Sequence, residues 1–259
     1  MLVAVGSFKG SPGATSAALA MAAAWPMPAV AVEADPDGGD LAVRIRTADG
    51  ESLPERPSVL SLAADARSAT DLDGLVGQVA ADVSSGVRVV QGFLDPGRAH
   101  GLRSLWPDLA KALQAANVHV IVDVGRLVPT SAAGAVIRAA DALVVAVRGE
   151  LGSVAHLRER IASMAGSGRD RQGLYPLAIA AARELPAVVG EVAEVLDSAK
   201  GVVAGVTYQQ VLGLAHDPRG LMQLQEGGDP KGRLRRTALL RSAREAAETI
   251  HDNFAVSGR

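Results

Sequence analysis

The chain has 259 residues, a formal net charge of −2 and no cysteine. Thiol nucleophiles, disulfides and cysteine-bound zinc are therefore excluded, and the net charge exerts no global pull toward nucleic acid or membrane. Apolar residues make up 48% of the chain and aromatics only 3%, so a core must be assembled from Ala, Val and Leu.

Taken in chain order, residues 2–5 are an apolar run of strand length. A glycine-rich loop from Gly6 to Gly13 follows, and Thr15 and Ser16 open an alanine-rich helical segment that runs to Trp25. Strand, glycine-rich loop and helix start together suit a phosphate. The helix start offers unpaired N–H groups and partial positive charge, and glycine lets the backbone approach the ligand. A second strand at 29–32 leads into Glu33 and Asp35. After a loop at 49–57, residues 59–62 read as a third strand and 72–83 as a helix. A short strand at 87–91 and a helix at 102–116 precede the strongest strand signal, the β-branched run at 119–124 that carries Asp123. Further strands are expected at 142–147, 177–181 and 211–215. Helices are expected at 153–164, 188–196 and 237–253, with loops at 166–173 and 227–232.

Strands alternating with helices predict an α/β fold in three layers, with a mainly parallel central sheet and helices on both faces. The runs VIVDV and LVVAV are apolar throughout, as strands covered on both sides should be. No stretch reads as an interdomain linker, so residues 1–259 are expected to form one domain. No basic, apolar leader and no uncharged bilayer-length stretch is evident, and a cytoplasmic protein is expected.

Ligands of such sheets bind at the carboxyl ends of the strands. The glycine-rich loop, Asp35 and Asp123 all fall there, where a hydroxyl and two carboxylates could surround a magnesium–nucleotide. Each residue also has a plainer role open to it. Thr15 and Ser16 can cap a helix, Asp35 can serve an Asp-Pro turn, and Asp123 can be a strand-end acid. The five histidines lack metal-ligand spacing. Gly6, Gly10 and Gly13, with Glu33 further on, approximate a dinucleotide fingerprint, but the spacing is not G-x-G-x-x-G. Neither Tyr175 nor Tyr208 has the lysine four residues on that a short-chain dehydrogenase needs.

The stretch Lys9-Gly10-Ser11-Pro12-Gly13-Ala14-Thr15 resembles the K-G-G-x-G-K-[ST] loop of the MinD/ParA group of deviant-Walker ATPases. VEADPDGGDLAV (32–43) is similar to the D-x-D-P-Q-G-[GN] segment of that group, with Asp35 at the switch aspartate. VIVDVGRL resembles its Walker B strand, with Asp123 as the acid. ADALVVAVRGELGSVAHL and VLGLAHDPRGLMQLQEGG are similar to its next strand and helix and to its late strand and adenine-side loop. The resemblance implies a P-loop NTPase-like fold with ATP or ADP and Mg²⁺ as cofactors. Lys9, Gly10, Ser11, Gly13, Ala14, Thr15 and Ser16 would lie at the phosphates, and Thr15 and Asp123 at the metal. Asp35 would orient the attacking water, and Asp217 and Pro218 would approach the base. It also implies a homodimer acting with a protein partner in positioning, partitioning, secretion or pilus assembly.

The departures are specific. Ala14 stands where the Walker lysine belongs, Phe8 and Ser11 replace glycines, Pro12 has no N–H to offer, and Gly125 replaces a proline. An alanine or serine in place of that lysine resembles the CpaE/TadZ branch and implies slow or absent hydrolysis. The alternative is a pseudo-ATPase scaffold that binds no nucleotide and works only through protein partners. Lys231, Arg233, Arg235 and Arg236 form a basic cluster open to three readings: contact with DNA, contact with an anionic membrane surface, or a solvated approach to the last helix. The first two would place the protein at the nucleoid or the membrane periphery.

Overall fold

The computed structural model describes residues 1–10, 12–101, 103–164, 173–200 and 208–257. Ser11, residue 102 and most of the loop expected at 166–173 lie outside them. Strand β1 (Leu2–Ser7) is buried along its whole length, and its side chains divide between two cores. Leu2 and Ala4 point into one cluster, Val3 and Val5 into the other. That two-residue alternation is what a strand covered on both faces requires.

From β1 the chain passes through α1 (Ala14–Ala24), β2 (Ala29–Glu33), α2 (Leu41–Arg44), α3 (Val59–Ser68) and α4 (Leu75–Val79). It continues through β3 (Ala81–Asp82), β4 (Arg88–Val90), α5 (Pro96–Gly101), α6 (Trp106–Ala115) and β5 (His119–Arg126). Next come α7 (Gly134–Ala139), β6 (Ala142–Arg148), α8 (Leu151–Met164), β7 (Gly173–Ala180) and α9 (Leu185–Lys200). β8 (Leu212–Ala215), α10 (Pro218–Gln225) and α11 (Ala238–Ser257) close the fold. The sheet order is β3-β4-β2-β5-β1-β6-β7-β8. Every pairing is parallel except that of the edge strand β3 with β4. Buried residues of α3, α4, α6, α7, α8 and α9 cover one face, and those of α1, α2, α10 and α11 cover the other. This is the three-layer α/β architecture expected.

α1 is almost wholly buried, and its alanines let the sheet and α11 approach it from both sides. The face of the last helix carrying Leu239, Ala243, Ala246 and Ile250 is buried against α1 and β8, as its spacing implies.

The expected third strand at 59–62 is the first turn of a helix, α3. Val59, Leu62, Ala63 and Ala66 are all buried, at a spacing that only a helix brings to one face. The Ser58 N–H donates to Ser61 Oγ at 3.3 Å and secures the first turn. The helix expected at 72–83 contracts to α4, because the chain then turns out into β3. α2, α5, α7 and α10 are additional. β7 begins at Gly173, earlier than expected, and its first half contains Pro176. The Leu174 carbonyl accepts the Gln209 N–H on the β8 side, so the nitrogen of Pro176, two residues on, faces away from β6 toward a side where β8 joins only at Leu177.

Candidate functional site

Because β1, β2, β5, β6 and β8 run parallel, the loops that follow them meet at one edge of the sheet. The loop after β1 turns through Gly10 (φ 68°) and Gly13 (φ 107°), both in the left-handed region. Gly13 occupies the cap position of α1, and Ala17 N–H makes the first helical bond back to its carbonyl at 2.8 Å. No side chain caps this helix. The Thr15 hydroxyl instead donates across to the Asp123 carboxylate on β5, so capping is not its role. The N–H groups of the first turn are left for a ligand.

Directly after Asp123, β5 carries one extra residue against β1: Val5 pairs with Asp123, and Gly6 with Gly125. Such a bulge re-aims the strand end. Gly125, at φ 62°, donates its N–H to Asp123 Oδ1 at 2.9 Å. A side chain on Gly125 would collide with the Asp35 carboxylate, so the glycine is what lets Asp35 lie against β5. Asp35 closes its own turn, accepting the Asp37 N–H at 2.8 Å.

Glu33 is buried beneath this turn and serves the backbone. Its Oε1 accepts the N–H groups of Asp40 (2.9 Å) and Leu41 (3.1 Å), and its Oε2 accepts that of Gly92 (3.0 Å). Gly39 packs against the same carboxylate with no space for a side chain. Burial raises all three acids. Asp123 is pushed up to about 7, with Asp35 and Glu33 adding to the rise and the Thr15 hydroxyl and Gly125 N–H opposing it. Burial raises Glu33 and Asp35 as well, opposed by the backbone N–H groups that each accepts.

The loop after β1, Thr15, Asp35, Asp123 and Gly125 line one cavity of about 850 Å³, which the Glu33 carboxylate does not reach. Of the residues singled out from the sequence, Lys9, Gly10, Gly13, Ala14, Thr15, Ser16, Asp35, Asp123, Asp217 and Pro218 all border it. Ser11 falls outside the described residues. Ala14 is buried at the helix start and carries no charge toward the cavity. Asp217 caps α10, accepting the Gly220 N–H at 2.9 Å, and Pro218 fills the first helical position. The Asp-Pro pair at 217–218 was a legible start signal for that helix. Sequence reasoning missed Arg126 and Arg148, two strand-end arginines that also line the cavity. Among the described residues, no three acids or histidines are placed to hold a metal by themselves. A cation here needs oxygens from a ligand or water, the usual manner of Mg²⁺. Lys231, Arg233, Arg235 and Arg236 do not line the cavity. They lie exposed on the approach to α11, three of them in a 3-10 turn (Arg233–Arg236).

A parallel sheet with a glycine-rich loop on a central strand, a helix N-terminus behind it and a carboxylate on the adjoining strand defines the P-loop class of nucleotide-binding folds. Within that class the fold is the one seen in ParA, MinD and McdA structures. A ParA family ATPase from Chlorobium tepidum superposes with a TM-score of 0.69 at 13% identity, covering 95% of this chain and 97% of its own. The cell division ATPase MinD of Pyrococcus furiosus gives 0.68 at 14% identity, over 97% and 98% of the two chains. A variant of Cyanothece McdA in complex with ATP gives 0.63 at 16% identity, over 97% and 96%. No protein-family model and no curated protein matches the sequence. Among the described residues, no helix is long and apolar enough to cross a membrane.

Proposed function

We propose that this chain is a nucleotide-binding positioning or partitioning factor that acts as a homodimer through a protein partner and hydrolyses ATP slowly or not at all. The observation that carries this reading is the single cavity that gathers the α1 N-terminus, the Thr15–Asp123 pair and Asp35, on a fold shared with ParA, MinD and McdA. Gly10, Ser11, Gly13, Ala14, Thr15 and Ser16 cradle the phosphates with backbone N–H groups, and Lys9 adds charge. Thr15 and Asp123 hold Mg²⁺, which when bound neutralises phosphate charge. Asp35 positions the attacking water, and Asp217 and Pro218 border the base. The whole chain, 1–259, acts as one domain. The alanine at 14 favours a place beside the pilus-positioning CpaE/TadZ branch. The exposed cluster of Lys231, Arg233, Arg235 and Arg236 would hold the dimer on nucleoid DNA or on an anionic membrane; a duplex and anionic vesicles, each tested at two salt concentrations, separate the two.

The same Ala14 supports a second reading, a scaffold that has lost nucleotide altogether, because the bridging ammonium is the largest charge a P-loop offers. Calorimetry with ATP and ADP in Mg²⁺, on wild type and Asp123→Ala, decides between them. Micromolar binding that Asp123→Ala weakens at least tenfold is expected. Silence at millimolar nucleotide would leave the scaffold.

A further inference from the structure

Arg126 ends β5 and Arg148 ends β6, the two strands that flank β1. In the ladder Ser7 lies level with Arg126 and Gly6 with Val145, so Arg148 stands three residues beyond, beside the loop. Val147 and Arg148 also line a small recess with Phe8 and Lys9, which places Arg148 next to the loop's own lysine. Both arginines are exposed, line the main cavity, and make no side-chain hydrogen bond or ion pair among the described residues. Arg44, which also lines the cavity, is by contrast tied to Asp40 at 2.5 Å.

Five aspartates, Asp35, Asp37, Asp40, Asp123 and Asp217, stand on the cavity walls, against which the other cations are Lys9 and the Asp40-paired Arg44. An anionic ligand meets like charge there unless cations offset it, and the loop has Ala14 where a lysine would do so. We propose that Arg126 and Arg148 bracket the glycine-rich loop and supply, from the two neighbouring strands, the positive charge on the β- and γ-phosphates that Ala14 withholds. Guanidinium suits the task, since its planar fork donates two hydrogen bonds to one phosphate. The site is thereby selective for nucleoside di- and triphosphates over monophosphates. This inference rests on the nucleotide reading above.

The test titrates Mg-ATP, Mg-ADP and AMP calorimetrically into wild type, Arg126→Ala, Arg148→Ala and the double variant. Each single substitution is expected to weaken ATP about tenfold and the pair about a hundredfold, with AMP changed less than about twofold. Ala14→Lys in the double variant is expected to recover most of the loss. Lysine at both arginine positions keeps the charge and is expected to hold ATP within several-fold of wild type. A double variant that binds ATP like wild type, or that loses ATP and AMP equally, overturns the assignment. A wild type silent toward all three nucleotides overturns the nucleotide reading beneath it, an outcome visible before any arginine is changed.

Discussion

Three acids that look alike in the sequence are put to different uses by their surroundings. Asp123 faces a hydroxyl and the cavity, Asp35 leans on a glycine of the next strand, and Glu33 is enclosed among backbone donors. In the stretch 32–43, similar to D-x-D-P-Q-G-[GN], Glu33 stands at the first acidic position. Its geometry makes it the tie between the 35–41 turn and the segment after β4. Glu33→Gln tests that role, because an amide presents donors on one side where the carboxylate had only acceptors. At least one of the Asp40, Leu41 and Gly92 N–H groups then loses its partner in a buried place. A loss of about 2 kcal/mol is expected, read as a melting temperature lower by roughly 4–8 °C. An unchanged melting temperature would show that the carboxylate does not hold the turn. The same packing accounts for Gly39, which the sequence marks only as part of a turn.

At the scale of elements, the long buried strands were legible because the chain has apolar runs such as VIVDV and LVVAV bounded by clear breaks. What failed was the short run at 59–62, where four apolar-rich residues fit either period and only the continuation to Ala66 reveals a helix. The pairing of Thr15 with Asp123 joins positions 108 residues apart; no local pattern contains the sheet order that makes it, and the resemblance alone brought the two together in the sequence. The strand-end arginines went unseen for a similar reason, since a charge after an apolar run is ordinary until two such strands are known to flank the loop.

The opposite end of β5 carries a different consequence. His119 packs between the Trp25 ring (6.0 Å) and the His251 ring (5.5 Å), joining β5 to the end of α1 and to α11. Burial, the Met1 ammonium and His251 together pull its pKa from 6.5 to about 4, with Asp141 opposing. The folded state therefore binds fewer protons than the unfolded state between those values. The stability it contributes is complete above pH 6.5 and is lost as the pH falls toward 4. Urea midpoints followed from pH 7 to 4.5 should fall more steeply for wild type than for His119→Leu. Parallel profiles would rule the histidine out as a source of acid sensitivity.

Across the whole molecule, the central sheet separates two cores that share every long strand. Leu143 and Val144 are neighbours on β6, yet one belongs to each. Neither core can lose its strands without stripping the other, so both should unfold in one transition despite lying on opposite faces. The chain carries two tryptophans, and they fall one to a core: Trp106 is buried in the core that holds α3 and α6 residues, and Trp25 in the core that holds α1 and α11 residues. Trp25→Phe leaves a reporter of the first core, and Trp106→Phe leaves one of the second. In each background the fluorescence transition should coincide with the loss of helical circular dichroism. Leu143→Ala and Leu177→Ala, buried in the first and second core respectively, should each lower both reporters together, by about 2–4 kcal/mol. Separation of the two fluorescence curves would mean that one layer melts while the other stands, and residues 1–259 would then be two cooperative units. Coincidence makes the sheet a rigid connection, through which any ligand at the strand ends reaches both helical layers at once.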